Sequence, residues 1–260
     1  MKTEWLRQSI KDFKPYFVAP IAEKNVINAN ENYFNVLSLP EVKEELIKAL
    51  DSFQPQIYPK PMADGLPGAL ASYMGVKPEN IICGNGGDEM ISCVLGTFLN
   101  SGDTLLVHSP TFDMYELGAE TLGASVVKID DREGFKRNQE GLLQAVKTYQ
   151  LKLTVICNPN NPTGDLLPAS FIEEVVKVAD NVVFVDEAYM EFAQRESVVS
   201  LIEKYPNLVV LRTLSKAFAM AGMRCGYLAG DKEMIEAIAK VKAPCPIISP
   251  RLHSSLPPSC

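Results

Sequence analysis

The sequence predicts an α/β protein, a three-layer α/β/α sandwich around a seven-stranded, mostly parallel sheet, with a small domain that is incomplete. Three observations lead there. Short apolar runs recur along the chain, stretches with helical apolar spacing separate them, and polar Gly-, Pro- or Asn-rich clusters follow several of them. The runs are Ile81–Cys83, Thr104–Val107, Ser125–Ile129, Leu153–Cys157, Val182–Val185, Leu208–Leu211 and Cys225–Ala229. Their near-continuous apolar character is that of strands covered on both faces. The helical stretches are Asp88–Leu99, Thr111–Leu122, Glu140–Tyr149, Pro168–Ala179 and Lys232–Lys242. Strands alternating with helices imply crossover connections and a parallel sheet.

The organisation has three parts. Residues 1–35 break the alternation and read as an N-terminal arm and small-domain segment, 36–242 as the large domain, and 243–260 as an aberrant or truncated tail. That tail, from Ala243, carries five prolines and four serines in eighteen residues, which excludes a continuous helix or an interior strand. It follows a helix whose pattern asks for continuation. The preferred expectation is therefore a chain cut short, or read in the wrong frame beyond about residue 244.

Composition narrows the class. With 260 residues, 47% hydrophobic and 22% charged, the chain is an ordinary globular protein. Its net charge of −7 argues against a nucleic-acid partner. No uninterrupted apolar stretch of membrane-spanning length occurs, and the start of the chain lacks the apolar core of a secretory signal. The six cysteines show no CxxC spacing and lie mostly in apolar segments, so reduced thiols in the cytoplasm are expected, with neither a disulfide frame nor a metal site.

The segment Thr213 to Tyr227 is the most informative. Lys216 stands just past an apolar strand, Ser215 precedes it, and Arg224 follows eight residues later. A lysine so placed suits imine formation with an aldehyde cofactor, with its neighbours holding the cofactor's phosphate. Four further clusters fall at strand ends, where open parallel sheets bind ligands. Gly84-Asn85-Gly86-Gly87-Asp88-Glu89 precedes a helix, so Gly87 and Asp88 offer N–H groups and a positive helix end to a phosphate. Asn158 to Gly164 is a turn by composition, but its two Asn-Pro steps are unusually constrained, and Asn161 offers an amide to a ring oxygen. Asp186 ends an apolar strand, where a carboxylate is costly without a cation or several donors. A protonated pyridine nitrogen would meet that need; a helix-capping aspartate is the plainer alternative. Tyr189 lies three residues on, within reach of the ring oxygen. Phe112 is either a stacking ring or core, and His108 reads as structural.

Together these groups describe a site for pyridoxal 5′-phosphate. Lys216 anchors it, Asp186 keeps its ring nitrogen protonated, Asn161 and Tyr189 hold the ring oxygen, and Ser215, Arg224, Gly87 and Asp88 hold the phosphate. Lys216, Asp186 and Tyr189 are the expected catalytic residues. Proton transfer by a freed Lys216 amine would make the reaction a transamination between an amino donor and a keto acid.

With those residues in hand, the chain resembles the fold-type I pyridoxal-phosphate-dependent aminotransferases, and within them the histidinol-phosphate aminotransferases. The matching stretches are Asn28 to Asn32, Tyr58-Pro59, Gly84 to Glu89, Pro110 to Tyr115, Asn158 to Gly164, Asp186 to Tyr189 and Thr213 to Tyr227. The resemblance implies a cytoplasmic homodimer with shared sites, in which Tyr58 reaches the neighbouring subunit's cofactor phosphate. It implies that Phe112 stacks on the ring and that Tyr33 and Asn161 bind substrate, although the proline that usually follows Asn32 is absent. It implies histidinol phosphate and 2-oxoglutarate or glutamate as substrates, in histidine biosynthesis. Nothing after residue 243 resembles the family's small domain with its substrate-binding arginines, and Arg251 sits in no matching motif. The cofactor site is thus expected intact, the substrate site depleted and activity impaired. Alternatives are a phosphothreonine decarboxylase or another amino-acid aminotransferase on this scaffold, or a non-catalytic truncated product that still binds the cofactor.

Overall fold

The computed structural model describes residues 3–11, 13, 27–51, 53, 54, 56–58 and 65–244. The tail expected to be aberrant, with Arg251, lies almost wholly outside them, as does Pro59. Alternation of side chains along each strand builds the layers. In Leu208–Thr213, Leu208 and Val210 face one apolar cluster, while Val209 and Leu211 face another. The same split runs through Val182–Asp186, where Val183 and Val185 oppose Phe184. A strand with two apolar faces must be covered twice, and helices cover it.

Seven strands form one sheet: β1 Ile81–Asn85, β2 Thr104–Ser109, β3 Ser125–Asp130, β4 Leu153–Cys157, β5 Val182–Asp186, β6 Leu208–Thr213 and β7 Cys225–Gly230. Their spatial order is β1-β7-β6-β5-β4-β2-β3, parallel except that β7 runs against both neighbours. The eight α-helices of the described residues are α1 Pro40–Asp51, α2 Leu66–Met74, α3 Gly86–Phe98, α4 Met114–Leu122, α5 Gln139–Thr148, α6 Ala169–Val178, α7 Met190–Ala193 and α8 Lys232–Ala239. Buried residues of α2, α5 and α6 join one cluster, and those of α3, α4 and α8 the other. This is the expected α/β/α sandwich.

Two features of the topology position a site. The chain runs outward from β2 to β3 and then returns to place β4 on the other side of β2, so a crevice opens at the carboxyl ends of β2 and β4. The reversed β7 brings its first residue, Cys225, opposite Asn85, the last of β1, and Gly226 opposite Thr213, the last but two before Lys216. Arg224 is thereby delivered to the edge where the parallel strands end. Helix α4 starts at Met114, three residues later than its apolar spacing suggests; Thr111 lies in the preceding loop, its hydroxyl donating to the Asn160 side chain at 2.9 Å.

Candidate active site

Asp186 closes β5 and is buried to 4% exposure. Its carboxylate is met by two donors: the Tyr115 hydroxyl at 2.6 Å and the Ala188 backbone N–H at 2.9 Å. Burial pushes its pKa up to about 6, against the pull of those donors. Two donors do not offset the loss of water around a full charge, so a cation at this carboxylate would be strongly favoured. The Ala188 bond is the local turn expected of a capping aspartate; the Tyr115 bond spans 71 residues and has no such local origin.

Lys216 is half-buried, past the end of β6. Its ammonium donates to the Ala29 carbonyl at 2.8 Å and stands 5.7 Å from the centroid of the Tyr189 ring. Burial lowers its pKa, while the charges of Asp88, Glu31 and Asp186 oppose that shift and Arg224 adds to it. Four strand ends and the N-terminal segment therefore share one electrostatic neighbourhood. The N-terminal segment also touches the site through Asn30, which donates to the Tyr189 hydroxyl at 3.1 Å, and Asn32, which donates to the Lys216 carbonyl at 3.3 Å.

The phosphate-binding candidates gather at the start of α3. Gly86 has φ +81°, and a Cβ on it would meet Arg224 Nη2 at 2.5 Å. A Cβ on Gly226 would strike the Gly86 carbonyl carbon at 2.4 Å, so the two backbones approach because Gly226 lacks a side chain, while the bare Gly86 leaves room for the Arg224 guanidinium. Arg224 itself holds a left-handed φ of 51° and pairs with Asp88 at 3.2 Å, both side chains about half-exposed. Ser215 is buried, its hydroxyl 2.9 Å from that of Thr213.

The loop after β4 divides its asparagines. Asn158 is bound on both sides to Leu167, donating to its carbonyl at 3.2 Å and accepting from its N–H at 2.7 Å. Asn160 donates to the Pro110 carbonyl at 2.9 Å and to the Thr163 hydroxyl at 2.7 Å. Arg137 locks the loop from beneath through Asp165 and the Cys157 carbonyl. The Asn161 side chain, by contrast, takes part in no hydrogen bond among the described residues. Phe112, at the far wall, is partly buried and meets Tyr115 edge-on at 5.8 Å.

Lys216, Asp186, Tyr189, Asn161, Phe112, Ser215, Arg224, Gly87 and Asp88 thus lie along the carboxyl edges of the strands. Tyr33 and Tyr58 do not join them: they are 100% and 87% exposed, without a hydrogen bond or ring contact among the described residues. Tyr115, Asn30 and the Ala29 carbonyl are contacts that the sequence reading missed. Tyr115 carried a usable signal, since a buried tyrosine needs a partner for its hydroxyl and a buried aspartate needs a donor. His108 is buried, with no hydrogen-bond partner for either ring nitrogen among the described residues, and burial lowers its pKa to about 3.

The comparisons agree with this geometry. The profile of the family "Aminotransferase class I and II" matches residues 24–256. The histidinol-phosphate aminotransferase of Caldanaerobacter subterraneus subsp. tengcongensis is 40% identical over 240 residues, which is 92% of this chain and 67% of that protein. Among solved structures, the histidinol-phosphate aminotransferase of Sinorhizobium meliloti in complex with pyridoxal-5′-phosphate aligns with a TM-score of 0.75 at 26% identity, over 82% of this chain and 58% of that one. The aspartate aminotransferase of Thermus thermophilus with maleate aligns at 0.70 and 30% identity, over 80% and 58%. The chain spans about two thirds of the length of the curated relatives it matches. On the strength of its motifs, its sheet order and these matches, it belongs to the class I and II aminotransferase family.

Proposed function

We propose that this chain binds pyridoxal 5′-phosphate and transfers an amino group between an amino donor and a keto acid, with histidinol phosphate and 2-oxoglutarate or glutamate as the substrate pair. The observation that supports it most is the juxtaposition of the Lys216 ammonium with the Tyr189 ring at 5.7 Å, in the field of Asp186 and Arg224. The donor set also fits the cofactor: a carboxylate short of positive charge, a guanidinium at a glycine-walled cradle, and a helix start facing the same edge. The choice of substrate rests on the relatives, several of which are histidinol-phosphate aminotransferases at 36–40% identity.

When bound, the cofactor supplies an aldehyde that joins amines and a ring that withdraws electrons from the carbon bearing them. Lys216 Nζ is the anchoring amine. Its lowered pKa raises the neutral, nucleophilic fraction, and once displaced by a substrate amine it is the group placed to take and return a proton as general base and then acid. Asp186 holds positive charge at the ring nitrogen. Asn161 and the Tyr189 hydroxyl bind the ring oxygen, and Phe112 covers a ring face. Ser215, Arg224 and the first N–H groups of α3, at Gly87 and Asp88, bind the phosphate.

In this reading residues 36–242 form the cofactor domain and 1–35 an arm of a smaller one. The chain works as a homodimer in the cytoplasm, with Tyr58 serving the neighbouring copy and Tyr33 lining the substrate pocket. Full exposure of both tyrosines supports a role that a second copy or a substrate completes. Cys83, Cys93, Cys157 and Cys225 are buried, with no disulfide among the described residues. Among the described residues no helix is long and apolar enough to cross a membrane.

The experiment is a titration of the chain with pyridoxal phosphate followed by visible absorbance, repeated for Lys216→Ala, and then an assay of amino-group transfer from histidinol phosphate to 2-oxoglutarate, read as glutamate formed, against carbon dioxide release from phosphothreonine. A visible band in the parent chain alone, with histidinol phosphate converted to its ketone as 2-oxoglutarate becomes glutamate, is expected. Carbon dioxide from phosphothreonine would replace the transaminase reading with a decarboxylase.

A further inference from the structure

Beneath Tyr189 lies a buried ionic cluster that none of the roles above uses. Arg212, on β6 four residues before Lys216, places Nη1 2.9 Å from Glu187 Oε2 and Nη2 3.0 Å from Glu191 Oε1. The three side chains are 8%, 0% and 12% exposed. Glu187 also accepts from the Ser197 hydroxyl at 2.5 Å and the Val198 N–H at 2.9 Å, so its carboxylate is fixed from three directions. Tyr227 of β7 and Tyr73 of α2 border the pair. One cation serving two buried anions is costly to assemble, and its retention asks for a reason beyond stability.

The spacing offers one. Glu187 and Glu191 flank Tyr189 by two residues on either side, so Arg212 ties both ends of the short segment that carries the phenol, by a hydrogen bond to Glu187 and by an ion pair without hydrogen-bond geometry to Glu191. The Glu187 N–H is tied in addition to the Leu211 carbonyl at 2.9 Å, next to Arg212. Above the clamp, the groups facing Tyr189 are Asn30 from the N-terminal segment, Lys216 from beyond β6, and Cys157 and Asp186 from the ends of β4 and β5. Tyr189 itself belongs to no strand, and its backbone is tied locally, its carbonyl accepting from the Phe192 N–H at 3.1 Å. We infer that Arg212 is a positioning residue: by bridging Glu187 and Glu191 it sets the height and direction of the Tyr189 hydroxyl at the cofactor's ring oxygen. This rests on the cofactor reading given above. A lysine cannot replace it, because a single ammonium does not span two carboxylates as a guanidinium fork does.

The test follows the pH midpoint of the visible band of the loaded full chain, in the parent, Arg212→Lys, Tyr189→Phe and the double variant. A hydroxyl donating to the ring oxygen favours negative charge there, so slackening it raises the midpoint, by about half a pH unit or more for Arg212→Lys. In the Tyr189→Phe background the same substitution should then move it no further. Glu191→Gln, which keeps the shape and weakens one arm, should give a smaller upward shift and carries the test if Arg212→Lys does not fold. An unmoved midpoint in Arg212→Lys or Glu191→Gln overturns the inference, as does an equal shift with and without the Tyr189 hydroxyl, which marks a merely structural role. A parent chain with no visible band at all removes the cofactor reading first and this inference with it.

Discussion

Asp186 and Lys216 serve one candidate site yet are built in opposite ways. The aspartate is sealed in the sheet, with both oxygens bonded and its segment braced by Tyr115 on one side and Arg212 on the other. The lysine is half-buried, and its ammonium is held by one backbone carbonyl from a segment far away in sequence. The difference suits the roles proposed for them. A charge that must stay beneath a ring nitrogen is best fixed by the core, whereas an amine that must attach, leave and carry a proton needs room and weak ties.

The comparison can be broken most forcefully at the lysine. Lys216→Ala should leave the fold intact, because its amine contributes only one long-range tie, yet lower transamination by about 10³-fold or more, as loss of nucleophile and general base together demands. Thermal unfolding and initial rates measured side by side check both halves. Asp186→Asn comes next: the amide oxygen still accepts from one of the two donors, but the negative charge is gone, and a fall of about 10²-fold is expected from the loss of fixed electrostatic stabilisation.

The same aspartate sharpens the contrast through pH. Its folded pKa, about 6, lies above the unfolded carboxylate value of 3.8. It therefore binds its proton more tightly when folded, and its contribution is fully present below the unfolded value and lost as pH rises through the folded one. Without cofactor, the stability of the parent chain relative to Asp186→Asn should fall by about 2 kcal/mol between roughly pH 4 and pH 6, out of about 3 kcal/mol across the whole titration. Adding pyridoxal phosphate should flatten that slope, since a cation beside the carboxylate draws its pKa down. Denaturant midpoints across that pH range, with and without cofactor, measure it. Lys216, with its pKa lowered, contributes with the opposite sign: the cost of burying its charge is present at low pH and relieved as pH rises through its folded value.

Tyr115→Phe is expected to cost about 1–3 kcal/mol, the penalty of leaving a buried carboxylate oxygen without its donor. The smallest effect separates two glycines at the cradle. Gly226→Ala drives a Cβ into the Gly86 backbone and should destabilise the chain markedly, whereas Gly87→Ala meets only Leu211 Cδ2 at 3.7 Å and should stay within about 0.5 kcal/mol of the parent. That tolerance agrees with a phosphate contact made by backbone rather than side chain.

The contrast also explains what was legible in the sequence. All seven strands were visible as apolar runs: six carry buried residues on both faces, while β3, at the sheet edge with no buried residue, was legible through Val126, Val127 and Ile129. The motifs stood out because they interrupt such runs at strand ends. Asp186 was readable for the same reason: a charge closing such a strand requires an explanation. The reversal of β7 was not readable, since direction in a sheet is set by pairing and not by composition. Nor was the contact between Ala29 and Lys216, which joins residues 187 apart through a backbone carbonyl and leaves no side-chain signature. The Arg212 clamp was hidden for another reason. An arginine inside an apolar strand resembles an exception until its two carboxylates are seen around it.

The most direct measurement is borohydride reduction of the chain loaded with pyridoxal phosphate, followed by peptide mapping. A single stable label on the peptide carrying Lys216, absent from Lys216→Ala and weakened by Asp186→Asn, is the predicted result. Label spread over exposed lysines, or none on that peptide, would contradict the assignment of this crevice as the place where the amino group changes hands.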